Sequence, residues 1–311
     1  MKSALLWSAA GVLLLAARGQ DGDLRVTSVQ VPSAQGTNAS YPGNRAPLAP
    51  APFIQLPIGS VRPQAWLRHQ MILMNEGFVG HLPEISDYCK PERSLWMDPA
   101  GPGRTGWEEA PLWLRSIVNI GYILPEEDAG ARALRKTLRV WIDGILATQE
   151  KDGTFGPKEH DALAIAAEAA ALQPLTARPG ELDLWARSLI FDVLESLHEA
   201  TGDERVLPFM TRYFRWLEAL PVEKFPKDRW NLTAGTANLI HAAHWLYNRT
   251  GDAWLLDVAA KLRRASKTFG NRHGVSMVQS FREPAQFFPQ SRDPKDLELT
   301  DRFYEEMFGT W

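Results

Sequence analysis

The chain has 311 residues, of which 45% are hydrophobic and 23% are charged, and its formal net charge at pH 7 is -3. A chain of this length can bury a large core, whereas a small negative charge provides no basic surface for binding nucleic acid. Cys89 is the only cysteine, which excludes an internal disulfide.

The N-terminal residues predict an exported protein. Lys2 precedes a mostly apolar run over residues 4–17, which is shorter than the roughly 20 residues of a membrane-spanning helix. We therefore predict a signal peptide at 1–20, a secreted or periplasmic location and no membrane partner after cleavage, with a retained anchor as the alternative. Residues 21–52 are rich in Pro, Ser and Gly, which predicts a flexible linker before a folded domain at 53–311.

Apolar residues then recur at helical spacing along most of the chain. The first predicted hairpin pairs a helix at 108–124 with a helix at 132–149, through a turn at 125–130. An alanine-rich helix is predicted from about residue 161 to residue 172. Its composition favours a helix but indicates no chemistry, so we interpret it as a packing insertion.

Two further hairpins each turn at Thr-Gly-Asp, at residues 201–203 and 250–252. Gly can take the left-handed conformation that ends a helix, and Asp can accept hydrogen bonds from the free N–H groups of the next helix. The last predicted hairpin pairs residues 275–288 with residues 297–308. The chain is thus predicted to be all-α, with at least four helical hairpins in sequence.

The segments that connect successive hairpins carry many of the aromatic and ionisable residues. Hairpins that stack in sequence place their turns at one end and their connections at the other. Four connecting segments should therefore share one face, at residues 106–109, 152–156, 225–231 and 272–274. Their Trp, carboxylate, amide and His side chains suit a neutral polyhydroxylated ligand, because Trp can stack on a sugar ring and the polar groups can bind its hydroxyls.

Each candidate residue also has a purely structural interpretation. Glu108 lies in the first turn of a helix, where a carboxylate interacts favourably with the helix dipole without contacting a ligand. His273 could hydrogen-bond to the backbone, and Asn231 begins an Asn-Leu-Thr glycosylation pattern. His241 and His244 lie three residues apart on one helix without an evident third ligand, so a structural role is favoured over a metal site.

Five parts of the chain carry a further pattern. They are LPIGSVRP at residues 56–63 with GHLPE at 80–84, WEEAPLWL at 107–114, DGTFGP at 152–157, TGD at 201–203 with VLPFM at 206–210, and HGVSM at 273–277. Together they resemble the β-L-arabinofuranosidase-like enzymes of glycoside hydrolase family 127, from about residue 53 to the end of the chain. The resemblance implies an (α/α)6 toroid, which four hairpins would leave incomplete, with an open edge through which the chain could oligomerise.

The resemblance also implies residues that bind the sugar. His273 matches a histidine that contacts the sugar in this family, and the other matches are weaker. The predicted substrate-binding residues are His273, Trp107, Glu108, Asp183, Trp230 and Asn231.

The same resemblance implies catalytic groups that this chain lacks. In the family, a cysteine nucleophile, a glutamate acid/base and a zinc ion with Cys and Glu ligands follow the last hairpin predicted here. Cys89 lies too early to replace them, so we predict no catalytic residue and no metal ligand in this chain, and expect zinc only in full-length relatives. The predicted function is a retaining β-L-arabinofuranosidase-like glycoside hydrolase that acts on arabinose-containing glycans, without its catalytic segment. A non-catalytic carbohydrate-binding or scaffold protein and a polysaccharide lyase on the same toroid are the alternatives.

Overall fold

The computed structural model describes residues 43–53, 55–99, 107–157, 184–225, 229–266 and 274–309, with the side chains of all of these except 229–234, 275 and 276. They belong to one compact unit, Ala34–Trp311. The regular elements in these ranges are all helices, which confirms the predicted all-α class. The predicted signal peptide and the predicted helix at 161–172 lie outside the described residues.

Eleven α-helices are labelled in chain order for the described residues. They are α1 (Ala65–Met74), α2 (Gly80–Ile85), α3 (Glu109–Ile123), α4 (Ala129–Ala147), α5 (Trp185–Thr201), α6 (Val206–Ala219), α7 (Arg229–Thr250), α8 (Trp254–Ala265), α9 (Gly274–Ser280), α10 (Glu283–Ser291) and α11 (Pro294–Phe308). A π-helical segment, Asn75–Val79, joins α1 to α2. Within the described ranges, no helix combines the length and the apolar character needed to cross a bilayer.

The first hairpin consists of α3 and α4, close to the predicted bounds. Helix α4 begins three residues earlier than predicted, because the Asp128 carboxylate accepts a hydrogen bond from the Ala131 N–H at 3.0 Å and caps the helix. Trp113 of α3 and Trp141 of α4 meet edge to face with ring centroids 5.8 Å apart. The residues predicted to face inward, among them Leu114 and Ile117 of α3 and Leu138 and Trp141 of α4, are all buried in the main core.

Both Thr-Gly-Asp turns connect helices as predicted. Gly202 and Gly251 have φ angles of +69° and +81°, which is the left-handed conformation that ends α5 and α7. The Asp203 carboxylate accepts a hydrogen bond from the Arg205 N–H at 3.0 Å. In the second turn, the Leu255 N–H donates to the backbone carbonyl of Asp252 at 3.0 Å, and α8 has no side-chain cap. Helix α6 likewise has no side-chain cap at its own N-cap residue, Arg205.

The last hairpin departs from the prediction in its first arm. Instead of one helix at 275–288, the chain forms α9 and α10 with a break between them. Pro284 lies in the first turn of α10, where its missing N–H is tolerated, whereas inside a continuous helix it would remove a hydrogen bond. Helix α11 begins at Pro294 rather than at residue 297, because Asp293 caps it by accepting from the Lys295 N–H.

The hairpins are arranged in an inner and an outer layer of helices. Helix α5 packs against α3 and α7, and α7 packs against α9 and α10. Helices α4, α8 and α11 pack mainly on their own hairpin partners, whereas α6 contacts α5, α7 and α8 to similar extents. Buried side chains fill the space between the layers, and Phe191 of α5 stacks on Phe214 of α6 with ring centroids 5.5 Å apart. This alternation is consistent with an array of the (α/α)6-toroid type.

Neighbouring inner helices run in the same direction. Near the start of α3, Glu108 contacts Trp185 at the start of α5, and two turns further along Arg115 contacts Asp192. Contacts that advance together along two helices require the helices to be parallel.

Between α5 and α7, Asn238 contacts Ser188 and, eleven residues further along both helices, Arg249 contacts Glu199. The N-terminal ends of α3, α5 and α7 therefore lie at one end of the array, where the connecting segments were predicted to meet.

Residues 43–53 pack on the inner helices, although residues 43–52 belong to the predicted linker. The Tyr247 hydroxyl donates to the Ala46 carbonyl, and the Ala49 N–H donates to the Pro289 carbonyl at 2.6 Å. Leu48 is buried in the main core. These contacts attach the segment to α7 and α10.

Candidate functional site

The starts of α3 and α5 meet at a cluster of two tryptophans and one carboxylate. Glu108 Oε2 accepts a hydrogen bond from Trp185 Nε1 at 2.6 Å, and Trp107 packs against Trp185 and Leu189. Glu108 is the N-cap residue of α3, but its side chain makes no capping hydrogen bond. Trp107 and Glu108 are both half-buried, so each retains surface that a ligand can reach. The structure thus places these two consecutive residues, both predicted to bind sugar, against Trp185 of α5.

Trp96 connects this cluster to the turn at residues 152–157. Its indole Nε1 donates to the Trp107 carbonyl at 3.2 Å, and its ring lies 6.1 Å from that of Phe155, centroid to centroid. Gly156 has a φ of +70°, and a Cβ there would lie 2.5 Å from the Trp96 ring. Only Gly fits this close approach, so the turn and the start of α3 are held side by side.

The turn is also fixed to α5. The buried Arg187 guanidinium donates to the Phe155 carbonyl at 3.1 Å and to the Pro157 carbonyl at 2.5 Å. Asp152 Oδ1 accepts hydrogen bonds from the backbone N–H and the hydroxyl of Thr154, as an Asp-Gly turn predicts. Two of the four segments predicted to share a face, 106–109 and 152–156, are therefore joined through their described residues.

Trp230 and Asn231 lie in the first turn of α7, although the positions of their side chains are not described. The same end of α7 packs closely on the start of α5, because a Cβ at Gly235 would lie 2.8 Å from the Leu184 carbonyl carbon. The backbone of Trp230 and Asn231 thus begins a helix beside the Trp185 end of α5. Whether their side chains reach the cluster stays a prediction.

Asp183 and His273 lie outside the described residues. Asp183 directly precedes Leu184, and His273 directly precedes the first residue of α9. Their positions in the chain are therefore next to the N-terminal ends of two inner helices. The predicted convergence of His273, Trp107 and Trp230 on one concave face stays a prediction.

A row of charged side chains on the inner helices was missed by the sequence analysis. Arg115 of α3 lies 3.3 Å from Asp192 of α5, and Glu195 Oε2 lies 3.3 Å from His241 Nε2 of α7. Arg282, between α9 and α10, continues the row by donating to the Asn238 side-chain oxygen. We call Arg115, Asp192, Glu195, His241 and Arg282 the charged row.

Asp192 and Glu195 interrupt a helix whose neighbouring positions are apolar and buried. The sequence did contain one signal of buried charge. Asp192 and Glu195 lie in a helix that is apolar on most of its faces, and such a helix has little surface left for solvated charges. Their partners come from other helices, so the sequence alone did not reveal the row. Glu195 Oε1 is buried without a hydrogen-bond partner among the described residues.

The charged row changes the protonation of its members. Burial raises the pKa of Asp192 to about 6, and the nearby Glu195 charge adds to the increase, while Arg115, His241 and Arg282 oppose it. Burial lowers the pKa of His241, but the charge and the hydrogen bond of Glu195 outweigh burial and raise that pKa overall. Asp192 can therefore carry a proton at mildly acidic pH, where a surface carboxylate would be ionised.

Replacing Asp192 by Asn is expected to alter how stability depends on pH. The pKa of Asp192 is about 6 in the folded chain against an ordinary value of 3.8, so the native state retains a proton that the unfolded chain releases between these values. The contribution of Asp192 is thus most favourable below about pH 4 and declines as the pH rises through about 6. Denaturant unfolding should show the wild type losing about 1–3 kcal/mol relative to Asp192→Asn over this range.

The matched control for this measurement is Asp143→Asn, which removes a half-exposed carboxylate that pairs with Arg205. It reports the effect of losing one surface charge. If the difference between wild type and Asp192→Asn were the same at pH 4 and pH 7, the raised pKa of Asp192 would be contradicted.

The donor groups among the described residues do not fit a zinc centre. No group of three or more His, Cys, Asp or Glu side chains in these ranges is placed to hold a metal ion. Burial raises the pKa of the Cys89 thiol to about 11, so Cys89 is not a ready thiolate ligand. His241 contacts Glu195, and His244 Nε2 lies 2.8 Å from Gln290 Oε1, so the two histidines have separate partners.

Comparison with known proteins identifies a family. The family model described as Beta-L-arabinofuranosidase, GH127 catalytic domain, matches residues 119–310. The matched region extends from within α3 to the end of α11 and includes Asp183, Trp230, Asn231 and His273, whereas Trp107 and Glu108 precede it. No curated protein and no solved structure is significantly similar to the chain.

Proposed function

Since this chain belongs to the β-L-arabinofuranosidase GH127 catalytic-domain family, we propose that it binds arabinose-containing oligosaccharides at the N-terminal ends of α3, α5, α7 and α9. Its family is one of glycoside hydrolases, so carbohydrate is the expected class of substrate. The observation that carries the proposal is the half-buried cluster of Trp107 and Glu108 on Trp185, at the end where the inner helices begin.

The cluster offers the two kinds of contact that a sugar needs. The Trp107 ring provides an apolar face for the C–H groups of a sugar ring. Glu108 accepts from Trp185 with Oε2, and Oε1 can accept from a sugar hydroxyl. Trp185 is nearly fully buried, so it holds the Glu108 carboxylate in position rather than contacting the ligand. His273, Asp183, Trp230 and Asn231 are proposed to complete the site.

The described residues support sugar binding better than they support the chemical step. In a retaining reaction of the kind that the resemblance implies, a thiolate attacks the anomeric carbon and displaces the aglycone, whose oxygen takes a proton from a general acid. Water then hydrolyses the glycosyl-enzyme and releases the thiolate. Cys89 is buried and its pKa is raised to about 11, so its thiol is almost entirely protonated near neutral pH. We propose that the described residues bind and orient the sugar, and that the nucleophile is not among them.

A second candidate function is non-catalytic carbohydrate binding. It is favoured by the same observation, because the Trp107–Glu108 cluster can bind a sugar while Cys89 is a protonated, buried thiol. The two functions differ in turnover and share the binding site. Membership of a glycoside hydrolase family favours either of them over the polysaccharide lyase.

Replacing His273 or Trp107 by Ala is expected to weaken sugar binding. Loss of a hydrogen bond to a sugar hydroxyl at His273 should cost about 1–3 kcal/mol of binding free energy, the usual penalty for an unpaired buried polar group. Loss of the Trp107 face should weaken binding by a similar amount, about 1–2 kcal/mol. Isothermal titration calorimetry with arabinose-containing oligosaccharides measures both effects.

The control is His69→Ala, which removes an exposed histidine of α1 and should leave the affinity unchanged. Thermal unfolding of each variant separates a lost contact from a lost fold. An affinity unchanged in both His273→Ala and Trp107→Ala would overturn the proposed site and assign His273 a structural role.

A further inference from the structure

A pocket of about 240 Å³ lies near the C-terminal ends of the inner helices. Its wall includes Glu199 in the last turn of α5, His241, His244 and Asn248 in the second half of α7, Gln286 of α10, and Phe53 from the N-terminal segment. Trp185 and Glu199 are at opposite ends of α5, roughly 20 Å apart at the helical rise per residue. The pocket is therefore separate from the proposed sugar-binding end.

The N-terminal segment closes one side of the pocket and is held there by hydrogen bonds. Asn248 Oδ1 accepts from the Arg45 N–H at 2.9 Å, and Asn248 Nδ2 donates to Asn44 Oδ1 at 2.9 Å. Tyr247 and Pro289 bind the backbone of the same segment. The wall is thus fixed before any ligand arrives, which is typical of small-molecule sites.

The wall of the pocket contains an acceptor that lacks a donor, and a second such acceptor lies behind the wall. Gln286 Oε1 is buried without a hydrogen-bond partner among the described residues. Behind His241 lies Glu195, whose side chain is 8% exposed and whose Oε1 also has no partner in the same ranges. Buried polar atoms are nearly always paired in folded proteins, so the unpaired Gln286 Oε1 in the pocket wall points to a ligand that brings a hydrogen-bond donor.

The charges around the pocket select among such ligands. Arg249 pairs with Glu199 at 3.0 Å, and its guanidinium together with the partly exposed His241 disfavours an ammonium group. The C-terminal ends of α5 and α7 point their carbonyls to this end and, with the two glutamates, disfavour an anion. With cations and anions both disfavoured, the pocket suits a neutral molecule with several hydroxyl groups, which supplies hydrogen-bond donors without adding charge.

The size of the pocket limits the ligand further. Pockets for drug-sized molecules occupy roughly 300–1,000 Å³, and this one is smaller. The Phe53 ring is 80% exposed at the rim and offers an apolar face to the C–H groups of a ring. Both features fit a single sugar ring better than an oligosaccharide.

We propose that this pocket is a second binding site, which takes a neutral polyhydroxylated molecule of about the size of one sugar ring. Gln286 accepts from a ligand hydroxyl, His241 contacts a second polar group of the ligand, and Phe53 covers the ring. The site is independent of the proposed substrate site, because different residues at the other end of the inner helices form it.

The test uses L-arabinose as the probe and the full-length Trp107→Ala protein as the background, which weakens the first site. Saturation-transfer NMR and calorimetry are expected to detect L-arabinose binding in this protein. Adding Gln286→Leu, which removes the acceptor with little change in side-chain volume, should weaken the binding about tenfold or more. Phe53→Ala should weaken it several-fold, and its exposed position makes a folding defect unexpected.

The control is Asn119→Ala on the exposed side of α3, which should leave binding unchanged. Circular dichroism verifies the fold of each variant. The proposal is overturned if the Trp107→Ala protein binds no L-arabinose, or if the binding is unaffected by both Gln286→Leu and Phe53→Ala. A different result would contradict only the proposed substrate site: the oligosaccharide affinity would then be unchanged in the single variants His273→Ala and Trp107→Ala.

Discussion

Replacing Trp96 by Ala is expected to lower the free energy of unfolding by about 3–5 kcal/mol and to weaken sugar binding. Trp96 is 0% exposed, and its ring packs on Gly156 and Phe155. The substitution leaves a cavity and removes the donor that binds the Trp107 carbonyl. The turn at 152–157 then loses its link to the start of α3, so stability and the position of Trp107 change together.

Two further variants separate the loss of the Trp96 hydrogen bond from the loss of its buried ring. Trp96→Phe keeps most of the ring volume but removes the N–H group, and should cost about 1 kcal/mol for the hydrogen bond plus a smaller packing loss. Trp66→Ala removes a tryptophan that is 76% exposed on α1 and should change stability by less than about 0.5 kcal/mol. Chemical unfolding followed by circular dichroism measures all three, and equal stabilities of Trp96→Ala and Trp66→Ala would contradict the central role of Trp96.

The purified 311-residue chain is expected neither to hydrolyse a chromogenic β-L-arabinofuranoside nor to hold zinc. Its only thiol is Cys89, and with a pKa of about 11 the thiolate fraction at pH 7 is roughly one in ten thousand. A zinc centre of the implied kind needs several thiolate or carboxylate ligands in one place. Metal analysis and a turnover assay on the same preparation measure both properties.

The control for this prediction is Cys89→Ala, which should leave the turnover assay and the zinc content unchanged. Loss of the buried thiol should cost some stability, because Cys89 is part of the main core. About one zinc ion per chain, together with turnover that a thiol-blocking reagent abolishes, would show that the catalytic groups lie within this chain after all.

Much of the helical array could be predicted because its signals are local. The left-handed glycines at 202 and 251 end helices through their own backbone conformation, and each depends on neighbours only a few residues away. The apolar stripes of α3 and α4 are likewise a property of helical spacing. Boundaries moved where a cap was overlooked, as at Asp128 and Asp293, since a single side-chain hydrogen bond decides where the first turn starts.

The candidate sites were predictable only in part. Trp107 and Glu108 were identified because an aromatic and a carboxylate precede a helix in a connecting segment, but their contact with Trp185 depends on α5 lying beside α3. The charged row and the second pocket were missed for the same reason. Asp192, Glu195 and His241 are separated along the chain from Arg115 and Arg282, and no local pattern joins them.

The sequence by itself determined most of the helices from residue 108 onward, their order, the Thr-Gly-Asp turns and the family, because these depend on the spacing of residues along one segment. It did not predict α1 and α2, nor the break between α9 and α10. Only the tertiary structure decided which inner helices are neighbours and at what height their side chains meet. That register brings Glu108 to Trp185, Asp192 to Arg115, and Glu195 to His241. The physical reason is that side-chain contacts between helices are fixed by packing across the core, where residues far apart in sequence compete for the same space.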